Sequence, residues 1–477
     1  MGFNKVLLIN PKGPSEWLGV RPPAGLGYLA QVLQDNEIEY SILDMQLGYS
    51  QRKLFQRIGD FEPDLIGFSL VSLGYKRSYD LMVKVKALFP NTKIICGGPH
   101  VSILKKQVLK DCKVIDYGVT YEGERTLVEL CKSNQDERLI KGLIVRDNGN
   151  LTYSGDRDWI PDLDKIPFPR YHRFELRRYI GEIDIFSSRG CPQRCVFCPN
   201  AIIGPYYRAR CPENVVNEIE YWYEKGYRQF NFDDDNFNLD KRRVYKICDE
   251  IERRGLKDLY LRCSNGLRAD TLDRHLLSRM KEVGFQYIAI GADAGNNRVL
   301  KMINKGETIE QIEQAVKDAC ELGFDVKLLF IIGHLGETAS DVNDSLRIAQ
   351  KYPIVRVHFY NLIPYPGTEA FEQISSKGYF LIKPEQYLNE VSDLDSTPIF
   401  ETPELPRQTR VELLRKARQV QKGVTIKALE RMCNRVPLMG RFMGYMLASR
   451  LVERMVYKNF VFRKLLEYVR YKKAIHQ

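Results

Sequence analysis

Two separate runs of alternating apolar strand and amphipathic helix constrain this chain more than any other feature. In the first, from residue 5 to about 135, "KVLLIN", "EYSILDM", "DLIGFSLV", "TKIICGGP" and "KVIDYGV" are short apolar runs rich in β-branched residues. Helical patterns such as "GLGYLAQVLQDN" and "KRSYDLMVKVKALFP" separate them. Continuous apolar strands divided by amphipathic helices predict a parallel sheet covered on both faces. The fold class expected is therefore α/β, with a doubly wound, Rossmann-like sheet over residues 1–140. A second series starts at Glu182, with strands "EIDIFSS", "QFNFDDD", "LYLRCSN", "YIAIGAD", "VKLLFIIG" and "RVHFYNLIP". Six β/α units in about 190 residues predict a partial (β/α)6 TIM-type barrel over 182–375.

The remaining segments follow from these two. Residues 141–181 have weaker periodicity and carry Pro161, Pro167 and Pro169, so an extended linker is expected. Residues 376–477 form a C-terminal region, helical and strongly basic from about 405. With 477 residues the chain exceeds what one core organises. Net charge is +11, yet the segment from Leu405 onward holds eighteen Lys and Arg against four Glu. The positive charge thus belongs to the tail, and the rest of the chain is near neutral.

No uncharged apolar run reaches the roughly 18 residues of a membrane span. Most of the eleven cysteines are isolated, which excludes a disulfide framework and suggests a cytoplasmic location. In the tail, Arg450, Arg454 and Lys458 recur along one helix face. That pattern suits either a helix packed on the barrel or peripheral contact with the inner membrane surface. Nucleic acid is disfavoured, because the cations sit among large aliphatic residues.

Chemistry concentrates in "SSRGCPQRCVFCPN", where Cys191, Cys195 and Cys198 fall within eight residues. A closed zinc site needs four ligands, and so does a fully protein-ligated iron–sulfur cube. Three thiolates on one loop fit a [4Fe–4S] cluster with one iron left open to a small molecule. The alternative is zinc completed by Cys211 or a distant histidine. The loop follows a strand at the barrel mouth, where ligands gather. Polar residues end the other barrel strands as well: Asp234 and Asp235, Ser264, Asp293, His334, and Tyr365 before "PGT".

The cysteine spacing, with Phe197 before the third cysteine, resembles the signature of the radical SAM enzymes. The resemblance extends over about residues 2–400, through "FDDDNF", "LRADTLDRHLLSRMKEVGFQYIAIGADAGNNRVLKMINKG", "FIIGHLGET" and "NLIPYPGTEAF". It implies that the open iron chelates S-adenosylmethionine, and that one electron then cleaves the sulfonium to a 5′-deoxyadenosyl radical. It also implies a cofactor site formed by Phe197, Asp234, Asp235, Ser264, Arg268, Asp293 and Gly333. Asp234 or Asp235 would accept from the methionine amino group. Two departures stand out: Asp293 replaces a Glu, retracting the charge by a methylene, and Leu335 replaces a Pro.

The front of the chain resembles the cobalamin-binding subgroup of the same family, through "NP…PPAGLGYLA", "GGPH", "EGERTLVEL" and "DLDKIPFPR". The residues this implies for cobalamin are Pro23, Gly25, Ser69, Ser72, Gly97, Gly98, Pro99, His100, Glu122 and Gly123. None of the six histidines lies in an Asp-x-His-x-x-Gly run. A cobalamin here is expected with its own base detached and no axial imidazole, which eases reduction of the cobalt. The alternative is a sheet that has lost its corrinoid.

The reading is an enzyme that uses a [4Fe–4S] cluster, S-adenosylmethionine and cobalamin to modify an unactivated carbon. Methyl transfer comes first, with cyclisation, rearrangement or oxidoreduction as alternatives. A non-catalytic cluster or corrinoid sensor is the rival from another class. The expected partners are a hydrophobic, lipid-like or other small-molecule substrate and an electron donor such as flavodoxin or ferredoxin. His334 and Tyr365 are the candidate catalytic side chains.

Overall fold

The computed structural model describes residues 2–13, 20–132, 136–391 and 393–433, with 441, 444 and 446. Most of the basic segment 438–473 and part of the first strand's following loop lie outside the described residues. The chain divides into two compact units, Met1–Tyr179 with Pro384–Ser392, and Ile180–Lys383 with Asp393–Gln477.

The first unit is built on β1 (Lys5–Asn10), β2 (Glu39–Asp44), β3 (Leu65–Ser69), β4 (Lys93–Gly97), β5 (Tyr117–Val119), β6 (Leu143–Asp147) and β7 (Asn150–Tyr153). Strand order is β2-β1-β3-β4-β5-β6-β7. The first five are parallel. The order reverses beside β1, the switch point at which doubly wound sheets bind ligands. Leu7, Ile9, Ile66 and Phe68 are buried, as an apolar run covered by helices requires.

The linker expectation needs correction here. β6 pairs antiparallel with β5, and β7 with β6, so residues 143–153 extend the sheet. The proline-rich stretch beyond them is anchored too, with Ile160, Leu163, Ile166 and Tyr179 buried. Gly27, in helix Ala24–Asp35, shows why: a Cβ there would come 2.5 Å from Tyr171 and 2.8 Å from Pro169. The stretch lies directly on the helix.

The second unit holds β8 (Glu182–Ile185), the two-residue strands β9 (Ser188–Arg189) and β10 (Arg208–Ala209), β11 (Gln229–Phe232), β12 (Tyr260–Leu267), β13 (Phe285–Asp293), β14 (Asp325–Ile332) and β15 (Arg356–Asn361). Apart from the small antiparallel β9–β10 pair, these form one open parallel sheet, ordered β15-β14-β13-β12-β11-β8. This is the expected partial barrel. In β14 buried and half-buried residues alternate, so one face is packed and the other accessible. Capping boxes start helices Ile309–Glu321 (Thr308 with Gln311) and Ala339–Lys351 (Thr338 with Asp341). Helix Arg407–Met432 packs along β15 and helix Ala339–Lys351. Among the described residues no helix is long and apolar enough to cross a membrane.

Candidate active site

Main-chain contacts shape the cysteine loop. Gly190 takes φ +83°, and a Cβ there would overlap the carbonyl of Tyr206. Its N–H donates to Asp235 Oδ2 at 2.9 Å, and Cys191 N–H to the Gly204 carbonyl at 2.8 Å. Cys198 N–H returns to the Cys195 carbonyl at 3.0 Å, closing a tight turn. All three cysteines are free and partly exposed. Burial raises the Cys195 thiol to about 11 and the Cys198 thiol to about 12. Without a metal both are therefore neutral thiols, and a bound metal would supply the charge that makes them thiolates.

Among the described residues no three His, Cys, Asp or Glu groups converge closely enough to hold a metal ion. The loop's donor set is thiols alone, the chemistry of an iron–sulfur site. Cys211 is committed elsewhere: exposed, it caps helix Pro212–Glu224 by accepting from Asn214 N–H at 3.4 Å. These residues fit a cluster held at three corners.

The acidic end of β11 divides its labour. Asp234, 3% exposed, accepts from the backbone N–H and hydroxyl groups of both Ser187 and Ser188. These four hydrogen bonds tie the segment that leads into the cysteine loop to the end of β11. Asp235 holds Gly190 and, at 2.7 Å, Asn200 Nδ2. The next residue, Asn236, donates to Cys191 Sγ at 3.6 Å, and its Oδ1 is buried without a partner.

The ends of β12 and β13 share a buried charge network. Asp293, in the left-handed region at φ +57°, pairs with Lys305 Nζ at 2.6 Å. Lys305 also lies 3.3 Å from Glu307. Burial alone would lower the Lys305 ammonium, but Asp293 and Glu307 together hold it above its ordinary value. Arg268 donates to Asp270 at 2.7 Å and to the Lys305 carbonyl at 2.9 Å. Ser264 donates its hydroxyl to Asn231 at 2.6 Å. Asp293 thus carries a buried cation of its own.

Beyond β14, Gly333 takes φ +108° and donates its N–H to Glu337 Oε2 at 2.6 Å. His334 N–H donates to the same oxygen at 3.2 Å. The His334 ring, 1% exposed, lies 5.4 Å from Phe197 of the cysteine loop. Burial lowers its pKa to about 4, so it is neutral. His334 Nδ1 and Glu337 Oε1 are both buried without a hydrogen-bond partner. Burial raises Glu337 to about 7. Tyr365, raised to about 12 by burial, is a phenol rather than a phenolate.

In the first unit, the residues expected to meet cobalamin follow the carboxyl ends of β3, β4 and β5 or open helix Ala24–Asp35, which Pro23 caps. Gly98 is at φ +101°, and a Cβ would sit 2.6 Å from the Leu70 carbonyl. Pro99 opens the next helix and Gly123 the helix Gly123–Lys132. Gly97 and Gly25 leave the backbone bare, with no Cβ contact closer than 3.6 Å at either. Glu122 is turned inward and accepts from Ile160 N–H at 3.0 Å. His100 is fully buried, with Nε2 3.0 Å from the Tyr79 hydroxyl and Nδ1 3.2 Å from the Ser72 hydroxyl. Both ring nitrogens are engaged, so it offers no lone pair to cobalt. Bare backbone at these strand ends suits the close approach of a large planar macrocycle such as a corrinoid.

A radical SAM superfamily model matches residues 185–349, and a B12 binding domain model matches residues 16–131. An uncharacterised methyltransferase of Pyrococcus horikoshii is 31% identical over 389 residues, covering 78% of this chain and 83% of that protein. The chain belongs to the B12-binding radical SAM family. It is an enzyme of that family, with a [4Fe–4S] cluster, S-adenosylmethionine and cobalamin as its cofactors. The anaerobic magnesium-protoporphyrin IX monomethyl ester cyclase of Cereibacter sphaeroides is 26% identical, covering 78% of this chain and 63% of that one. The solved radical SAM methyltransferase TsrM of Kitasatospora setae shares the fold, with TM-score 0.69 at 20% identity, covering 78% of this chain and 76% of that one.

The strand ends also bring in Lys305, Glu307, Glu337 and Asn236, which sequence patterns did not single out. Lys305 and Glu307 lie in "NKGET", and Glu337 in "GHLGET". Gly-Glu-Thr recurs at residues 306–308, after helix Asn297–Met302, and at 336–338, after β14, a repeat that could have found both glutamates. Asn236 carried no signal beside three aspartates. Arg410, on helix Arg407–Met432, donates to the Ile332 carbonyl across 78 residues of sequence, beyond the reach of local patterns.

Proposed function

We propose that this radical SAM enzyme transfers a methyl group to an unactivated carbon of a small molecule, and that Cys191, Cys195 and Cys198 ligate its cluster. The observation that carries this reading is the three-thiol loop, whose nearest spare cysteine, Cys211, serves as a helix cap. When bound, the cluster with S-adenosylmethionine supplies one-electron chemistry that activates carbon, and cobalamin supplies a methyl donor. The residues of the chain then hold, orient and exclude water. Asp235 fixes Gly190 at the loop entrance, and Asn236 supplies an N–H to the first ligating sulfur. Lys305 neutralises Asp293, so the carboxylate can meet neutral ribose hydroxyls without an unpaired buried charge. Phe197 and His334 form an apolar wall beside the loop, and the neutral imidazole adds no charge to it.

In the first unit, the bare backbone at Gly97 and Gly98 would hold the corrinoid. One further observation favours a second reading. The cyclase relative, similar over most of this chain, makes ring closure the leading alternative outcome of the same machinery. A flavodoxin or ferredoxin supplies the electron, and the basic tail brings the enzyme to a membrane surface where a hydrophobic substrate resides. Liposome flotation with and without the residues after Leu405 tests the tail, and equal flotation would remove that part.

The function itself is tested by anaerobic incubation of the reconstituted enzyme with S-adenosylmethionine, a strong reductant and candidate substrates. Release of 5′-deoxyadenosine with a methylated product is expected. Its absence would favour a non-catalytic sensor.

A further inference from the structure

Arg410, near the start of helix Arg407–Met432, is 1% exposed. A guanidinium is seldom buried so completely, because an unpaired charge out of water is costly. Here main-chain carbonyls accept from it. Nη2 donates to Ile332 O at 3.1 Å and Leu362 O at 3.4 Å, and Nη1 to Phe400 O at 3.3 Å. The Phe400 ring lies 4.4 Å from Cζ. Ile332 is the last residue of β14, and Leu362 immediately follows β15. One planar fork therefore ties the carboxyl ends of two neighbouring strands to the segment before the C-terminal helix.

The fork also rests on Gly333. A Cβ at that position would overlap the guanidinium, so Arg410 can occupy this place only over a glycine. From Gly333 the contacts run on towards the cysteine loop. Gly333 and His334 both donate to Glu337, His334 Nε2 is 3.4 Å from the Asp293 carbonyl, and the His334 ring faces Phe197. Glu337 Oε1 and His334 Nδ1 remain buried and unpartnered in the same turn. Unsatisfied buried groups are unfavourable by themselves, and they persist where surrounding structure enforces the geometry. Arg410 packs against this turn at Gly333.

We propose that Arg410 is a positioning residue that holds the Gly333–Glu337 turn in the shape needed to bind S-adenosylmethionine. The proposal rests on the reading that this turn faces that cofactor. It assigns to the C-terminal helix a share in cofactor affinity, exerted through Gly333 and His334 without contact to the cysteines. Lysine at this position would keep the charge but could not bridge two strand ends, because the bridge depends on the planar fork.

The test uses full-length enzyme reconstituted with iron, sulfide and cobalamin, comparing wild type, Arg410→Ala, Arg410→Lys and Gly333→Ala. Equilibrium dialysis measures the S-adenosylmethionine Kd. Electron paramagnetic resonance of the reduced cluster follows its response to the same cofactor. Iron content and thermal melting report whether each variant is folded and loaded. The expected result is a Kd raised about tenfold or more in Arg410→Ala and Gly333→Ala, with iron content at the wild-type level. Arg410→Lys should recover only part of the affinity. If Arg410→Ala does not fold, Arg410→Lys decides. A Kd within twofold of wild type in iron-loaded Arg410→Lys and in any other folded variant would overturn the proposal. Wild-type enzyme that carries a cluster yet fails to bind the cofactor would instead overturn the underlying reading of the site.

Discussion

The two parallel sheets differ at the strand ends that line their candidate sites. In the sheet containing β14, those ends carry charge: Asp293 with Lys305 and Glu307, Glu337 in its turn, and Asp235 beside the cysteine loop. Buried polar atoms of Asn236, His334 and Glu337 are left without partners. In the sheet containing β1, β3 and β4 end in Ser69 and Gly97 with Ser72 and Gly98 just beyond, the buried Asp44 at the end of β2 is satisfied by Asn10 and Tyr179, and buried His100 has both nitrogens engaged. The difference matches the two tasks. A polar nucleotide with a developing charge must be met by placed side-chain dipoles and charges. A large macrocycle needs a bare backbone surface it can approach closely. Each sheet should therefore fail in its own way when altered.

The largest expected effect is reciprocal loss at the cysteines. Replacing Cys191, Cys195 or Cys198 by alanine should abolish the cluster and all turnover while leaving cobalamin bound. Iron analysis and the visible spectrum of the same sample check both halves. If corrinoid is lost as well, the two sites are not independent.

A smaller effect concerns acid stability in the first unit. Burial depresses His100 to about 4, well below its ordinary 6.5. The unfolded chain binds that proton first, so this contribution is present above pH 6.5 and disappears as pH falls through about 4. At roughly 1.4 kcal/mol per unit it amounts to at most about 3.5 kcal/mol. Denaturant melts from pH 7 to 4 should show a steeper loss in wild type than in His100→Gln. Equal slopes would remove His100 from the account.

Gly98→Ala tests the bare-backbone side of the comparison. Its backbone region is nearly exclusive to glycine, and Leu70 O stands where the methyl would go, so a cost of ~1–3 kcal/mol is expected. Corrinoid retention on gel filtration should fall while iron content stays constant. The smallest effect belongs to Asn236→Ala. If Cys191 ligates the cluster as proposed, removing an N–H donor from its sulfur should lower the cluster's midpoint potential and reduce turnover by about tenfold. Redox titration of the variant is the check, and an unchanged potential would place the Asn236 contact outside the cluster's electrostatics.

The alternation of apolar strands and amphipathic helices made both parallel sheets legible, because a buried parallel strand must be apolar throughout. β6 and β7 were hidden. They are short antiparallel strands at a sheet edge, and "LIVRDNGNLTY" carries too much polarity to stand out beside prolines. The cysteine loop was legible because ligand spacing is local. Asp234 was not separable from Asp235, since only three-dimensional pairing assigns four donors to one carboxylate and leaves its neighbour beside the loop. Arg410 reaches Ile332 across 78 residues of chain, a distance at which periodicity carries no information.

The central claim is a cluster held at three corners. Mössbauer spectroscopy of iron-57-reconstituted wild type and Cys211→Ala, each with and without S-adenosylmethionine, tests it most directly. The account predicts four irons per chain in both proteins, with one iron altered by the cofactor and three unchanged. Zinc in place of iron, or a cluster that vanishes in Cys211→Ala, would contradict it.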